Sequence, residues 1–284
     1  MKIIQNVKKI TLGILGTAIL VLGLWACNND DTNEIKKQEN NLETLKKDLL
    51  QVNNNNTNSN TTYGKGKPIN GHSIIQSDCV GVIAGGRLGA YFGPWGAGIG
   101  MVGGAALVSY ADYVGQKDKT IKAPKAYTPE KLGYVDFEDK VENIGIGHNV
   151  LLNQLVTGER SDNDFKFDKR VSDYFINYSD AYDESVATNV NNRLNVLYND
   201  IKNNGIESTI NPFINNGSLL VKETILSFNS ELLKCVYYDD CIVLIQNYKN
   251  YIDNSDLYNQ EEKDELMAFL VVAKYSSHYW SSGE

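Results

Sequence analysis

Side chains able to do chemistry are few in this chain of 284 residues, with three histidines and four cysteines among them. Cys235 and Cys241 are separated by Val-Tyr-Tyr-Asp-Asp. That spacing suits either a disulfide stapling a turn or two free buried thiols, because disulfide geometry depends on how closely the two backbones approach. His148, beside Asn149, falls on the apolar side of a helical repeat and reads as a hydrogen-bonded core histidine rather than a general base. His278 belongs with Tyr275, Tyr279 and Trp280 to an aromatic terminus suited to docking a last helix, and His72 sits in a polar coil. Asp162-Asn163-Asp164 and Asp239-Asp240 offer oxygen ligands. Neither opens a calcium loop with its central glycine and terminal glutamate, so both read as helix caps and turns. No histidine or further cysteine stands at zinc-ligand spacing, so neither a metal nor a cofactor is expected. Gly-x-Ser-x-Gly, His-Glu-x-x-His and Gly-Lys-Ser/Thr are absent from the sequence, and no motif suggests an enzyme.

The fourth cysteine, Cys27, has a different setting. Lys2, Lys8 and Lys9 give a cationic start, an apolar run follows from Ile10 to Gly23, and small Ala26 stands immediately before the cysteine. Together these read as an export signal. An uncleaved transmembrane anchor is the alternative, since the run is near the lower length that spans a bilayer. Leu24-Trp25-Ala26-Cys27 resembles the lipobox of bacterial lipoproteins. That resemblance implies diacylation of Cys27, cleavage before it, and a mature protein held to membrane lipid by its acyl chains. The following Asn28-Asn29-Asp30-Asp31 resembles the starts that send some Gram-negative lipoproteins to the outer membrane's outer face. It implies an outer-membrane protein on the cell surface, with the periplasmic face as the alternative.

Formal charge is -8, from 27 Lys plus Arg against 35 Asp plus Glu. Residues 1–26 carry three of those lysines and no acid, so the mature chain has 24 against 35, or -11. Affinity for nucleic acid rests largely on cationic contacts, and an acidic surface repels phosphate backbones, so a nucleic-acid partner is excluded.

The elements that would position these residues follow from periodicity and composition. Ile35, Leu42, Leu45, Leu49 and Val52 approximate a coiled-coil seam, with a lone solvated helix as the equal alternative. From Asn53 to Thr62 only Asn, Thr and Ser occur, which predicts a flexible tether continuing through Gly64, Gly66, Pro68 and Gly71. A second loop region runs from Gln116 to about Glu138. Beyond it the period is helical: Val141, Ile144, His148, Leu151, Leu152 and Leu155 share one face, and Tyr182, Val186, Val190, Leu194, Leu197 and Ile201 another. Breaks are expected at Gly158, Gly205, Pro212, the Tyr238-Asp239-Asp240 turn and Asn254-Ser255-Asp256. The fold class is therefore all-α, with five or six helices in the C-terminal bundle. The domain reading is a signal peptide at 1–26, then a lipidated N-terminus, short helix and tether at 27–77. A glycine-rich helical hairpin follows at 78–113, a linker at 114–138 and a helical domain at 139–284.

Within the hairpin, glycine recurs at every fourth position: Gly81, Gly85, Gly89 and Gly93, then Gly96, Gly100 and Gly104 after Pro94. A step of four keeps residues on one helix face, so each arm presents a smooth groove to a closely approaching backbone. Pro94 lacks an amide donor and should break the helix between the arms. Each arm of about 14 residues is roughly 21 Å long at 1.5 Å per residue, short of a bilayer core of about 30 Å. This block resembles the glycine-zipper segments of envelope lipoproteins and, by composition, the glycine-rich helices of membrane-permeabilising bacteriocins. Asn143 to Leu151 and Val271 to Trp280 resemble segments of uncharacterised secreted or lipid-anchored bacterial proteins that also carry a zipper. The expectation is a non-enzymatic, lipid-anchored envelope protein whose zipper contacts membrane or self-associates. A contact-delivered, membrane-perturbing antibacterial protein and a surface binding module are the alternatives.

Overall fold

The computed structural model describes residues 31–59, 67–69, 71–116, 121–124, 127–160, 167–168, 171 and 183–281. The described residues form nine helices and no strand: α1 Asp31–Ser59, α2 His72–Ala90, α3 Gly93–Gly115, α4 Asp139–Val156, α5 Glu184–Asn204, α6 Ile206–Asn215, α7 Leu219–Leu232, α8 Tyr238–Asn254 and α9 Gln260–Ser281. The chain divides into two units, 1–47 and 48–284, and α1 runs across the division. In the first unit the Thr44 hydroxyl donates to the Asn40 carbonyl at 2.8 Å, one turn back along the helix.

The second unit is an all-α bundle. Its middle is the hairpin of α2 and α3, with α9 and α6 against α2, α4 and α5 against α3, and α8 against α9. From Ala268 to Ser277 every residue of α9 is buried, as in a central helix. Phe228 of α7 meets Tyr248 of α8 and Phe269 of α9 edge-on, with ring centroids 5.1 and 5.2 Å apart.

Helix ends follow local chemistry. Asp183 caps α5 by accepting from the amides of Ser185 at 2.8 Å and Val186 at 3.2 Å. Those bonds, the Val186 amide's first, hold its carboxyl below the usual range. Asn259 and Glu262 cap α9 reciprocally, Glu262 N donating to Asn259 Oδ1 at 2.9 Å and Asn259 N to Glu262 Oε2 at 2.8 Å. Gly158 and Gly205, at φ of +79° and +85°, follow α4 and α5 in a backbone region other residues rarely enter.

Four expectations need correction. Helix α1 takes in Asn53–Ser59, the first part of the expected tether; residues 60–66 lie outside the described ones. Asn53 donates to Ser227 Oγ at 3.1 Å and accepts from Tyr248 Oη at 2.9 Å, so hydrogen bonds anchor a stretch that apolar composition alone could not. The coil before the hairpin is docked: Ile69 N donates to Val236 O and Tyr238 N to Lys67 O, both at 3.0 Å, and the hairpin starts at His72 rather than 78 and ends at Gly115. Pro212 lies inside α6 instead of ending it, sacrificing only one helical bond. Tyr238, Asp239 and Asp240 open α8 rather than forming a turn, because Asp240 Oδ2 accepts from the amides of Tyr237 at 3.0 Å and Val236 at 3.1 Å.

Candidate functional site

The hairpin turns at Tyr91 and Phe92, and the zipper glycines meet across it in antiparallel register. Gly81 faces Gly104, Gly85 faces Gly100 and Gly89 faces Gly96. A β-carbon on Gly81 would stand 2.7 Å from the Gly104 carbonyl oxygen, and one on Gly104 2.5 Å from that of Gly81. On Gly85 or Gly89 a β-carbon would overlap the carbonyl of Gly100 or Gly96 outright. These six positions admit nothing larger than hydrogen, and the two small-residue grooves close on each other. Gly93 departs from the expected face: it has no neighbour at the β-position and a φ of +81°, so it makes the turn.

A fully buried polar layer lies where the hairpin meets α4 and α9. Asp78 of α2 accepts from the Ser276 hydroxyl of α9, and its Oδ2 stands 3.5 Å from His148 Nε2 of α4. His148 Nδ1 is 2.9 Å from Asn149 Oδ1, and Asn149 Nδ2 donates to the Tyr275 carbonyl at 2.9 Å. Asp78 Oδ1, Ser109 Oγ, His148 Nε2 and Trp280 Nε1 lack a well-aligned hydrogen bond in this layer. Burial pushes the Asp78 carboxyl well above the usual carboxylate range and His148 down to about 3. The serine sits on the aspartate rather than on the imidazole, unlike a relay in which histidine activates a serine nucleophile.

A second buried cluster ties the 132–137 loop to the same helices. Lys274 Nζ lies 2.8 Å from Glu142 Oε1 and donates to the Val135 carbonyl at 2.7 Å, while Tyr275 Oη donates to Glu142 Oε2 at 2.7 Å. Phe137 N completes the carboxylate's shell at 3.1 Å. Burial lowers the Lys274 pKa, with Glu142 opposing it.

Of the other candidates, Cys235 and Cys241 are free thiols, as is Cys79, so the disulfide option falls away. They point apart: Cys235 Sγ donates back to the Glu231 carbonyl at 3.6 Å, while Cys241 Sγ lies 3.0 Å from Ser277 Oγ on α9. Burial pushes the Cys241 thiol up to about 12. His278 stacks edge-on against Tyr238 at 5.6 Å, and His72 meets the Cys235 carbonyl. Cys27 and Asp162-Asn163-Asp164 lie outside the described residues. Among the described residues no cluster of three or more His, Cys, Asp or Glu side chains could hold a metal ion, and no helix is long and apolar enough to cross a membrane.

On the outer side of the hairpin runs a cleft of about 950 Å³, lined among others by Leu88, Tyr91 and Met101 from the hairpin, Phe213 from α6 and Glu261 from α9. Arg87 lies along it, donating from Nε and Nη2 to Glu265 at 2.8 and 3.0 Å and from Nη1 to the Phe213 carbonyl. Sequence reading missed Asp78, Ser276, Glu142 and Lys274. Their signal was a lone charge in each apolar run, Asp78 before the glycines and Lys274 after Val-Val-Ala.

No family model matches the chain, and neither a curated protein nor a solved structure does.

Proposed function

We propose that this chain is a non-enzymatic, lipid-anchored envelope protein of the outer membrane, facing the cell surface, held by acyl chains on Cys27. The observation that supports this reading is Leu24-Trp25-Ala26-Cys27 following a cationic start and an apolar run. The six zipper glycines close on one another, so their groove is filled by the hairpin's own arms. Zipper assembly is thus intramolecular, and the glycines serve the close packing of the α2–α3 hairpin. Labelled palmitate incorporation compared between wild type and Cys27→Ala tests the anchor; equal labelling defeats it.

One observation favours the membrane-perturbing alternative. From His72 to Gly115 the hairpin carries only three Asp, Glu, Lys or Arg residues, Asp78, Arg87 and Asp112, and other helices of the bundle sheathe it. On that reading it is stored apolar material that acts on a target bilayer after opening. Dye release from liposomes by the full protein supports it, and intact liposomes with undiminished growth of competitors remove it.

A further inference from the structure

We propose that Asp78 and His148 share a single proton and form with it a latch joining the glycine hairpin to α4 and α9, which loosens when that proton is withdrawn. Hydrogen-bond direction leaves the pair little choice. Asn149 spends its Nδ2 on the Tyr275 carbonyl, so its Oδ1 faces the imidazole, and His148 Nδ1 must carry the hydrogen that satisfies it. In a neutral ring Nε2 is then a bare lone pair, and it faces a carboxyl oxygen at 3.5 Å with neither residue exposed. Two lone pairs there repel each other unless a proton lies between them.

Placed on Asp78, that proton makes a neutral acid facing a neutral ring. Placed on His148, it makes two charges that must both be sustained without water. Burial raises Asp78 and lowers His148, so both favour the neutral pair. The other groups facing Asp78 divide: Ser109, Ser276 and Trp280 lower its pKa, by less than burial raises it, and Asp112 raises it. The groups around it are Asp112 and Ser109 from α3, Ser276, Trp280 and Tyr279 from α9, and Cys79 beside it on α2, with Cys241 of α8 facing Cys79. None of these is a cation, and Asp112 repels a second negative charge. Arg87 and Lys274, on the same two helices as Asp78 and Ser276, are committed to Glu265 and Glu142.

The folded pair holds one proton, whereas the unfolded chain holds two on these groups below pH about 4, one up to about 6.5 and none above. The raised acid contributes stability fully at low pH and loses it as pH climbs toward its folded value. The lowered imidazole contributes above about 6.5 and loses it as pH falls toward 3. The two slopes cancel between about 4 and 6.5, and above that window the unfolding constant grows about tenfold per pH unit from this pair until the folded proton leaves.

Asp78→Asn keeps the shape, offers an N–H to Nε2 and removes the titration. In denaturant unfolding of the full chain in detergent, the unfolding constant of wild type relative to Asp78→Asn should rise about tenfold per pH unit from pH 5 to 8. At pH 8 the α2 amides of wild type should exchange faster than those of the variant, with the difference gone at pH 5. A ratio constant across that range overturns the proposal. Should Asp78→Asn fail to fold, the imidazole nitrogen spectrum of wild type decides, with only three histidines to resolve. At pH 7 His148 should carry a hydrogen on Nδ1 alone, and an imidazolium signal there overturns the latch.

Discussion

Replacing Gly85 by alanine should unfold the hairpin more easily, while the same change at Gly98, thirteen residues on, should stabilise it. Alanine outranks glycine in a helix interior by roughly 1 kcal/mol, and this gain applies at both sites. At Gly98 nothing lies within 4 Å of the new β-carbon, so the gain stands. At Gly85 the β-carbon overlaps the Gly100 carbonyl oxygen and lies 2.8 Å from Gly104 Cα. Both are backbone atoms, which cannot rotate aside as a side-chain tip would. The arms must part, and because the neighbouring pairs lie on the same two rigid helices, they part as well. Taking about 3 kcal/mol, the upper end of ordinary overpacking, and subtracting about 1 for propensity leaves a net loss of about 2 kcal/mol. In a unit this size that lowers Tm by about 4–8 °C, against a rise of about 2–4 °C for Gly98→Ala. Thermal and denaturant unfolding of the two variants beside wild type measure both. If Gly85→Ala is as stable as Gly98→Ala, the arms do not close on their glycines and the intramolecular zipper is wrong.

Lys274→Met should cost about 3–5 kcal/mol by stranding Glu142 in the core, and adding Glu142→Gln should recover much of it; denaturant unfolding of single and double variants reads the coupling. Asp183→Ala should destabilise α5 at neutral pH but not once pH falls through the lowered folded value of that carboxyl. Its contribution is present above the unfolded value and lost on protonation, so the stability difference between variant and wild type should vanish in acid. Thiol titration of denatured, unreduced protein should count Cys79, Cys235 and Cys241 as free, and in the folded state all three should react slowly at pH 8, their thiols raised by burial.

Period and breaker residues made much of this fold legible. The apolar face of α5 from Val190 through Leu194 and Leu197 to Ile201 is buried as its spacing implied, and the hairpin turn falls just before Pro94. The Asn/Thr run was opaque because composition measures how much apolar surface a segment can bury. Asn53 is fixed by two side-chain hydrogen bonds to α7 and α8, which no local pattern announces. The polar layer was opaque for a related reason. Asp78, His148 and Ser276 lie 70 and 128 positions apart in the chain, and the lone charge of Asp78 ahead of the glycines does not by itself name its partners. Only packing of three helices makes them neighbours.

The glycine face and the polar layer answer different requirements. Glycine repeated at steps of four lets two helices approach closely, yet the same repetition makes the contact degenerate: sliding one arm by a turn would set Gly81 against Gly100 and Gly85 against Gly96 at little change in shape. Something non-repeating must choose the register. The loop of Tyr91 and Phe92, with Gly93 at positive φ, is too short to absorb a slip of one turn, about 5.4 Å. Asp78 supplies the second constraint, since one turn of displacement of α2 would carry it away from the Ser276 hydroxyl and from His148, leaving a buried acid without its partners. Arg87 supplies a third, its two bonds to Glu265 fixing α2 against α9 as the loop fixes it against α3. Close approach comes from the most permissive residue in the chain, and uniqueness from the few polar side chains that its apolar helices carry.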